Sequence, residues 1–158
     1  MKRIATRCEM QAIDAYSIHE IGIPGMVLME KAAMALFEEV RQHLKSHSRC
    51  LIVVEKGNNG GDGLALSRLL KEAGYEAWVY EIGGIRKSSD SYEAQKKILN
   101  QIELDVETNP EILEKEFDVV IDGIFGVGLT REVKGIQKRV IEILNQKKAY
   151  KIAIDVPS

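Results

Sequence analysis

The stretch Cys50-Leu51-Ile52-Val53-Val54, then Gly57-Asn58-Asn59-Gly60-Gly61-Asp62-Gly63, then Leu64, Leu66, Leu69, Leu70 and Ala73, decides the fold. The first five residues are apolar without alternation and rich in branched side chains, as in a parallel strand covered on both faces. The leucines restore a helical period, and Gly74 stops it. A buried strand, a glycine-rich turn over Gly57 to Gly63 and a helix make the opening unit of a doubly wound sheet.

Downstream the same alternation repeats. Ala77-Trp78-Val79-Tyr80 reads as a strand, and Gly83-Gly84 punctuates the chain. Asp90 with Glu93 caps a helix running to about Ile102. A weak strand is expected near Leu104 to Glu107, and Pro110 opens a short helix. Asp118-Val119-Val120-Ile121-Asp122 is another buried strand, and a glycine-bearing loop from Gly123 to Gly135 leads into a helix ending near Asn145. Lys151-Ile152-Ala153-Ile154-Asp155 is the last strand. Upstream, Thr6 and Glu9 have capping-box spacing for a helix from Arg7 to His19. After Gly22-Ile23-Pro24-Gly25, the residues Leu28, Ala32, Leu36, Val40 and Leu44 recur every fourth position, with Met29, Ala33 and Phe37 alongside. They predict a helix from Pro24 to Lys45. The expected architecture is α/β: a Rossmann-like three-layer αβα sandwich with a mostly parallel sheet, preceded by two N-terminal helices.

The 158 residues suit one domain. Lys+Arg 22 against Asp+Glu 24 gives a formal charge of −2, so no global basic field points to nucleic acid. No apolar run approaches the roughly 18 residues needed to cross a bilayer, and the basic start lacks the apolar core of a signal peptide. No membrane or nucleic-acid partner is therefore expected. Cys8 and Cys50 read as small packing residues of a reduced, cytoplasmic protein.

In such sheets ligands lie beyond the carboxyl ends of the strands. Three segments end there. The first, Gly57 to Gly63, offers glycines for close backbone approach, and a helix N-terminus suited to phosphate. Asn58, Asn59 and Asp62 add oxygens that can cap the helix or coordinate a hard cation. No lysine of a Walker motif follows, and the spacing is not that of a clean dinucleotide fingerprint. The second segment is Asp122-Gly123-Ile124-Phe125-Gly126-Val127-Gly128, whose amides can cradle an anion. The third is Asp155-Val156-Pro157-Ser158, where a strand-end carboxylate can be desolvated and tuned for proton transfer. A plain turn is the competing reading of each segment; the case for a site is their convergence.

The block Asn58-Asn59-Gly60-Gly61-Asp62-Gly63 after a hydrophobic strand resembles the signature of the YjeF N-terminal domain family. Glu9-Met10 with Ile13-Asp14, and Gly22-Ile23-Pro24 with Leu28-Met29-Glu30, resemble that family's two leading helices. Asp122 to Leu129 and Ile154-Asp155-Val156-Pro157-Ser158 are similar to its later loop and strand end. Glu55-Lys56 departs from the small residue the family often carries before the glycines. The family domain continues past Ser158, so this chain is expected to lack its C-terminal part.

The resemblance implies an NAD(P)H-hydrate epimerase, an isomerase that interconverts the R and S forms of NAD(P)HX, a nicotinamide cofactor hydrated on its ring. It implies substrate contacts from Asn58, Asn59, Gly60, Gly61 and Asp62, and from Gly126, Val127, Gly128, Leu129, Thr130, Arg131 and Glu132. It implies Asp155 as the acid/base at the hydrated ring, and a potassium ion held by Asn59, Asp122 and Ser158. The partners it implies are NAD(P)HX, a dehydratase acting on the same compounds, and a second copy in a homodimer. A non-catalytic nucleotide-binding or scaffold module on the same fold is the alternative. Elsewhere, Trp78 is expected in the core. Met26, Met29 and Met34 are expected as core filling or a dimer seam. Arg86 and Lys87 are expected in a solvated loop, contact with a 2′-phosphate being the competing reading.

Overall fold

Strand order in the sheet is β3-β2-β1-β4-β5, and every pairing is parallel. The strands are β1 (Arg49–Val54), β2 (Glu76–Glu81), β3 (Val106–Glu107), β4 (Val119–Gly123) and β5 (Tyr150–Ala153). The helices are α1 (Arg7–His19), α2 (Gly25–Val40), α3 (Asn58–Glu72), α4 (Asp90–Gln101) and α5 (Gly135–Gln146). Short 3-10 turns occupy Arg41–His43 and Pro110–Glu114. This computed structural model describes residues 5–84, 87–129 and 132–158.

Strand β1 is central because it alternates between two apolar layers. Cys50, Ile52 and Val54 pack with Leu64, Leu66 and Leu70 of α3 and with Tyr92 and Leu99 of α4. Leu51 and Val53 face the other way, onto Ile112, Leu113, Phe117 and the α5 residues Val140 and Leu144. A parallel strand with both faces covered has no polar side to show, which explains the unbroken apolar run. The chain leaves β1 in one direction to β2 and β3, and builds β4 and β5 on its other flank. The order therefore reverses between β1 and β4, where a crevice opens at the carboxyl ends.

Several local expectations shift. The helix predicted to Lys45 stops being α-helical at Val40 and tightens into the 3-10 turn. Its inward stripe is Met29, Ala33 and Val40, with Leu36 and Phe37 half-buried; Ala32 is exposed. The capping box of α1 forms as read, Thr6 N–H donating to Glu9 Oε2 at 2.7 Å. The α4 cap is Ser89, whose hydroxyl accepts from Tyr92 N–H, so Asp90 and Glu93 sit in the first turn and complement the helix dipole. Of the two thiols only Cys50 packs inside; Cys8 is exposed on α1. Trp78 is half-buried, packed beside Phe117 with Lys115 Nζ over its ring.

Candidate functional site

The glycines after β1 are not a turn. Helix α3 begins at Asn58, one residue past its N-cap Gly57, so Gly60, Gly61 and Gly63 lie within its first two turns. None of the three has a positive φ. They are glycines because the helix start is pressed onto its surroundings. A Cβ on Gly60 would overlap the Glu55 carbonyl oxygen. One on Gly61 would lie 2.7 Å from Met29 Cε, and one on Gly63 2.8 Å from Val54 Cγ1. Close packing sets the unpaired amides of the first turn at the carboxyl end of β1.

From that turn the Asn59 side chain reaches across the crevice and donates to the Phe125 carbonyl at 2.8 Å. Phe125 N–H donates to Ser158 Oγ at 3.1 Å. Ser158 in turn donates twice to Asp122, from N to Oδ2 at 2.8 Å and from Oγ to Oδ1 at 2.9 Å. Asp122 Oδ1 also accepts the Ile124 amide at 3.1 Å. One chain of hydrogen bonds thus joins Asn59, Asp122 and Ser158. Asp155 accepts the Val127 amide at 2.8 Å. A Cβ on Gly126 would lie 2.5 Å from Asp155 Oδ2 and 3.7 Å from Asn59 Cγ, so a side chain there would displace the Asp155 carboxylate. The three segments separated in sequence meet at one rim.

The remaining expected residues divide by position. Asn58 turns toward α4, its Oδ1 accepting from Ser91 Oγ at 3.3 Å. Val127, Gly128, Leu129 and Glu132 are exposed, and Glu132 pairs with Lys134 at 3.1 Å. Phe125, Leu129, Glu132, Val133, Lys134 and Gln137 bound a cavity of about 190 Å³. Thr130, Arg131 and Arg86 lie outside the described residues. The desolvated carboxylate expected at Asp155 is found at Asp62. Asp155 sits exposed on a bend beyond the edge strand β5. Burial, reinforced by the negative charges of Asp14 and Asp155, pushes the Asp62 carboxyl up to about 7.

A second polar cluster was not legible in the sequence. At the end of β2, Glu81 accepts from Tyr92 OH at 2.6 Å and Lys96 Nζ at 2.7 Å, and faces Lys56 Nζ at 3.7 Å. Burial alone would raise the Glu81 carboxyl, but the hydrogen bonds from Lys96 and Tyr92 and the charges of Lys96 and Lys56 hold it below its ordinary value. Nearby, Gln137 of α5 donates to buried Glu55 at 2.8 Å. These partners are 11 to 82 residues apart, and no local pattern pairs them.

Among the described residues no group of three or more His, Cys, Asp or Glu side chains is placed to hold a metal ion. The set Asn59, Asp122 and Ser158 instead offers amide, carboxylate and hydroxyl oxygens, donors that suit a hard cation of low charge. No helix among the described residues is long and apolar enough to cross a membrane.

Comparison with known proteins agrees with the fold. The family model described as YjeF-related protein N-terminus matches residues 25–158. A protein of Limosilactobacillus fermentum named NAD(P)H-hydrate epimerase is 39% identical over 97% of this chain and 73% of its own length. A Levilactobacillus brevis protein of the same name is 39% identical over 100% of this chain and 73% of its own. The crystal structure of a yeast protein superposes with a TM-score of 0.85 at 25% identity, covering 99% of this chain and 71% of that one. The α/β order and these matches agree: the chain belongs to the family of YjeF-related protein N-termini.

Proposed function

We propose that this protein is an NAD(P)H-hydrate epimerase that interconverts the R and S forms of NAD(P)HX. The observation that carries the reading is the convergence of Asn59, Asp122, Gly126, Asp155 and Ser158 at one rim, in a chain whose curated relatives bear that enzyme name. The scaffold alternative is not favoured by those names.

The first-turn amides of α3 and the loop from Gly126 to Glu132 bind the phosphates and ribose. Gly60 and Gly61 are buried and contribute closeness of backbone, not side-chain contact. Asn58 and Asn59 offer amide groups, and Asp62, at about 7, is protonated in part at neutral pH and can donate to a substrate oxygen. Asp155 is the acid/base. As a carboxylic acid it protonates the ring hydroxyl, water leaves, and the ring nitrogen lone pair holds the resulting positive charge as an iminium. Water then adds to the opposite face and returns a proton to Asp155, so no atom or electron is gained or lost. Val127 N–H fixes the carboxylate in place for this.

A potassium ion fits the oxygens of Asn59, Asp122 and Ser158, and would supply fixed positive charge beside the phosphates. A dehydratase that accepts one epimer is the functional partner, and the cytoplasm is the expected setting. Exposed Met10, Ile13 and Tyr16 of α1 and Met34 of α2 support a second copy covering that face. The test is direct: purified protein is added to enriched R- or S-NADHX and both forms are followed by chromatography. Acceleration toward the same mixture from both sides is expected. Folded protein that leaves both interconversion rates at their spontaneous values would refute the reading.

A further inference from the structure

In doubly wound sheets a dinucleotide lies across the carboxyl ends, with its phosphates at the first glycine-bearing helix and its adenosine half over β2. There an acid about 20 residues past the glycines binds the ribose hydroxyls. Glu81 occupies that position at the end of β2. It cannot serve in that way. Its side chain is 4% exposed, one oxygen already accepts from both Tyr92 and Lys96, and the other faces Lys56. What the rim presents instead is two ammonium groups beside one buried carboxylate. Both lysine side chains remain partly open, at 30% and 28%.

These lysines are continuous with the candidate site. Lys56 immediately precedes Gly57, the N-cap of α3. Ser91 of α4 bonds Asn58 of α3, tying the two helix starts together. From β5, past whose end Asp155 sits, to β2 there are three strand spacings, or about 14 Å, along which an extended dinucleotide can lie. Reactive ring, phosphates and adenosine ribose then fall over β5, the α3 start and β2 in turn.

We propose that Lys56 and Lys96, held by the buried Glu81, form a subsite for a phosphomonoester on the adenosine ribose, so that the phosphorylated hydrated dinucleotide is the preferred substrate. This rests on the epimerase reading for its placement. An ammonium group that already has one carboxylate partner keeps donors for a second anion, whereas an unphosphorylated ribose would meet no available acceptor from Glu81. Tyr92 fixes the Glu81 carboxylate, so the lysines are positioned by a rigid anchor and not by each other.

The test compares KM for NADPHX and NADHX in the wild type, Lys56→Gln and Lys56→Arg. Wild type is expected to favour the phosphorylated substrate. Lys56→Gln raises its KM about tenfold and changes that for the other by less than about twofold, while Lys56→Arg retains the preference. Equal rises for both substrates, or no change for either, would overturn the subsite. Titration calorimetry with adenosine 2′,5′-bisphosphate against AMP separates this from failure of the epimerase reading, since it needs no turnover. Tighter binding of the bisphosphate, lost in Lys56→Gln, supports the subsite even in a protein without epimerase activity. Equal affinities would reject it even in an active one.

Discussion

Replacing the α3 glycines by alanine, one at a time, separates two physical accounts of the same motif. In a helix with ordinary negative φ, Gly→Ala should stabilise by up to about 1 kcal/mol through backbone entropy and propensity. The packing at the β1–α3 junction predicts otherwise, and predicts an order. At Gly60 the obstacle is the Glu55 carbonyl, main chain that cannot move without shifting the end of β1. Loss of about 3 kcal/mol or more is expected there. At Gly63 the obstacle is Val54 Cγ1 at 2.8 Å, with Ile154 Cδ1 at 3.3 Å, both core methyl groups. These can yield by a few tenths of an ångström, so a loss of about 1–2 kcal/mol follows. At Gly61 the obstacle is the flexible end of Met29, 2.7 Å away, and the gain and the strain should cancel to within about 1 kcal/mol. Urea unfolding at constant m-value reads the series directly. Stabilisation of Gly60→Ala, or equal effects at all three positions, would refute the packing account.

Two further outcomes follow from ionisation and exposure. Asp62 stands at about 7 in the folded chain against an ordinary value of 3.8, so its contribution to stability is full below about pH 4 and is lost as pH rises through 7. The shift corresponds to about 4 kcal/mol at full ionisation. The Tm difference between Asp62→Asn and wild type should therefore grow in favour of the variant from pH 4.5 to 7.5 and then level, and a difference independent of pH would contradict it. Cys8 is exposed, whereas burial and the Asp118 charge push the Cys50 thiol up to about 12. Native protein should react with a thiol reagent at one site and at the second only after unfolding; two rapid thiols would contradict the placement of β1.

Much of this architecture is legible from local pattern because its causes are local. A short, β-branched apolar run such as Cys50–Val54, stopped by glycines, suits a doubly covered strand, and Thr6 with Glu9 caps a helix by chemistry confined to one turn. Convergence of the Asn59, Asp122 and Asp155 segments followed from the parallel order, since parallel strands bring their carboxyl ends to one edge. What escaped has causes distant in sequence. Gly60 and Gly63 looked like turn glycines because the atoms that exclude a side chain belong to Glu55, Val54 and Ile154. Desolvation settled on Asp62, which also feels the charge of Asp14 from α1, and not on Asp155, exposed beyond the end of β5. The cluster of Lys56, Glu81, Tyr92 and Lys96 joins three elements, and its members look like solvated charges when read singly.

The account rests on Asp155 as the group that moves the proton at the hydrated ring. The decisive measurement is the rate of R to S interconversion of NADHX by Asp155→Asn against the parent protein, at matched fold by circular dichroism. Loss of about a hundredfold or more in kcat with little change in KM is predicted, because an amide keeps the hydrogen-bond geometry at Val127 but cannot exchange a proton. Parent-like turnover by Asp155→Asn would contradict the account at its centre.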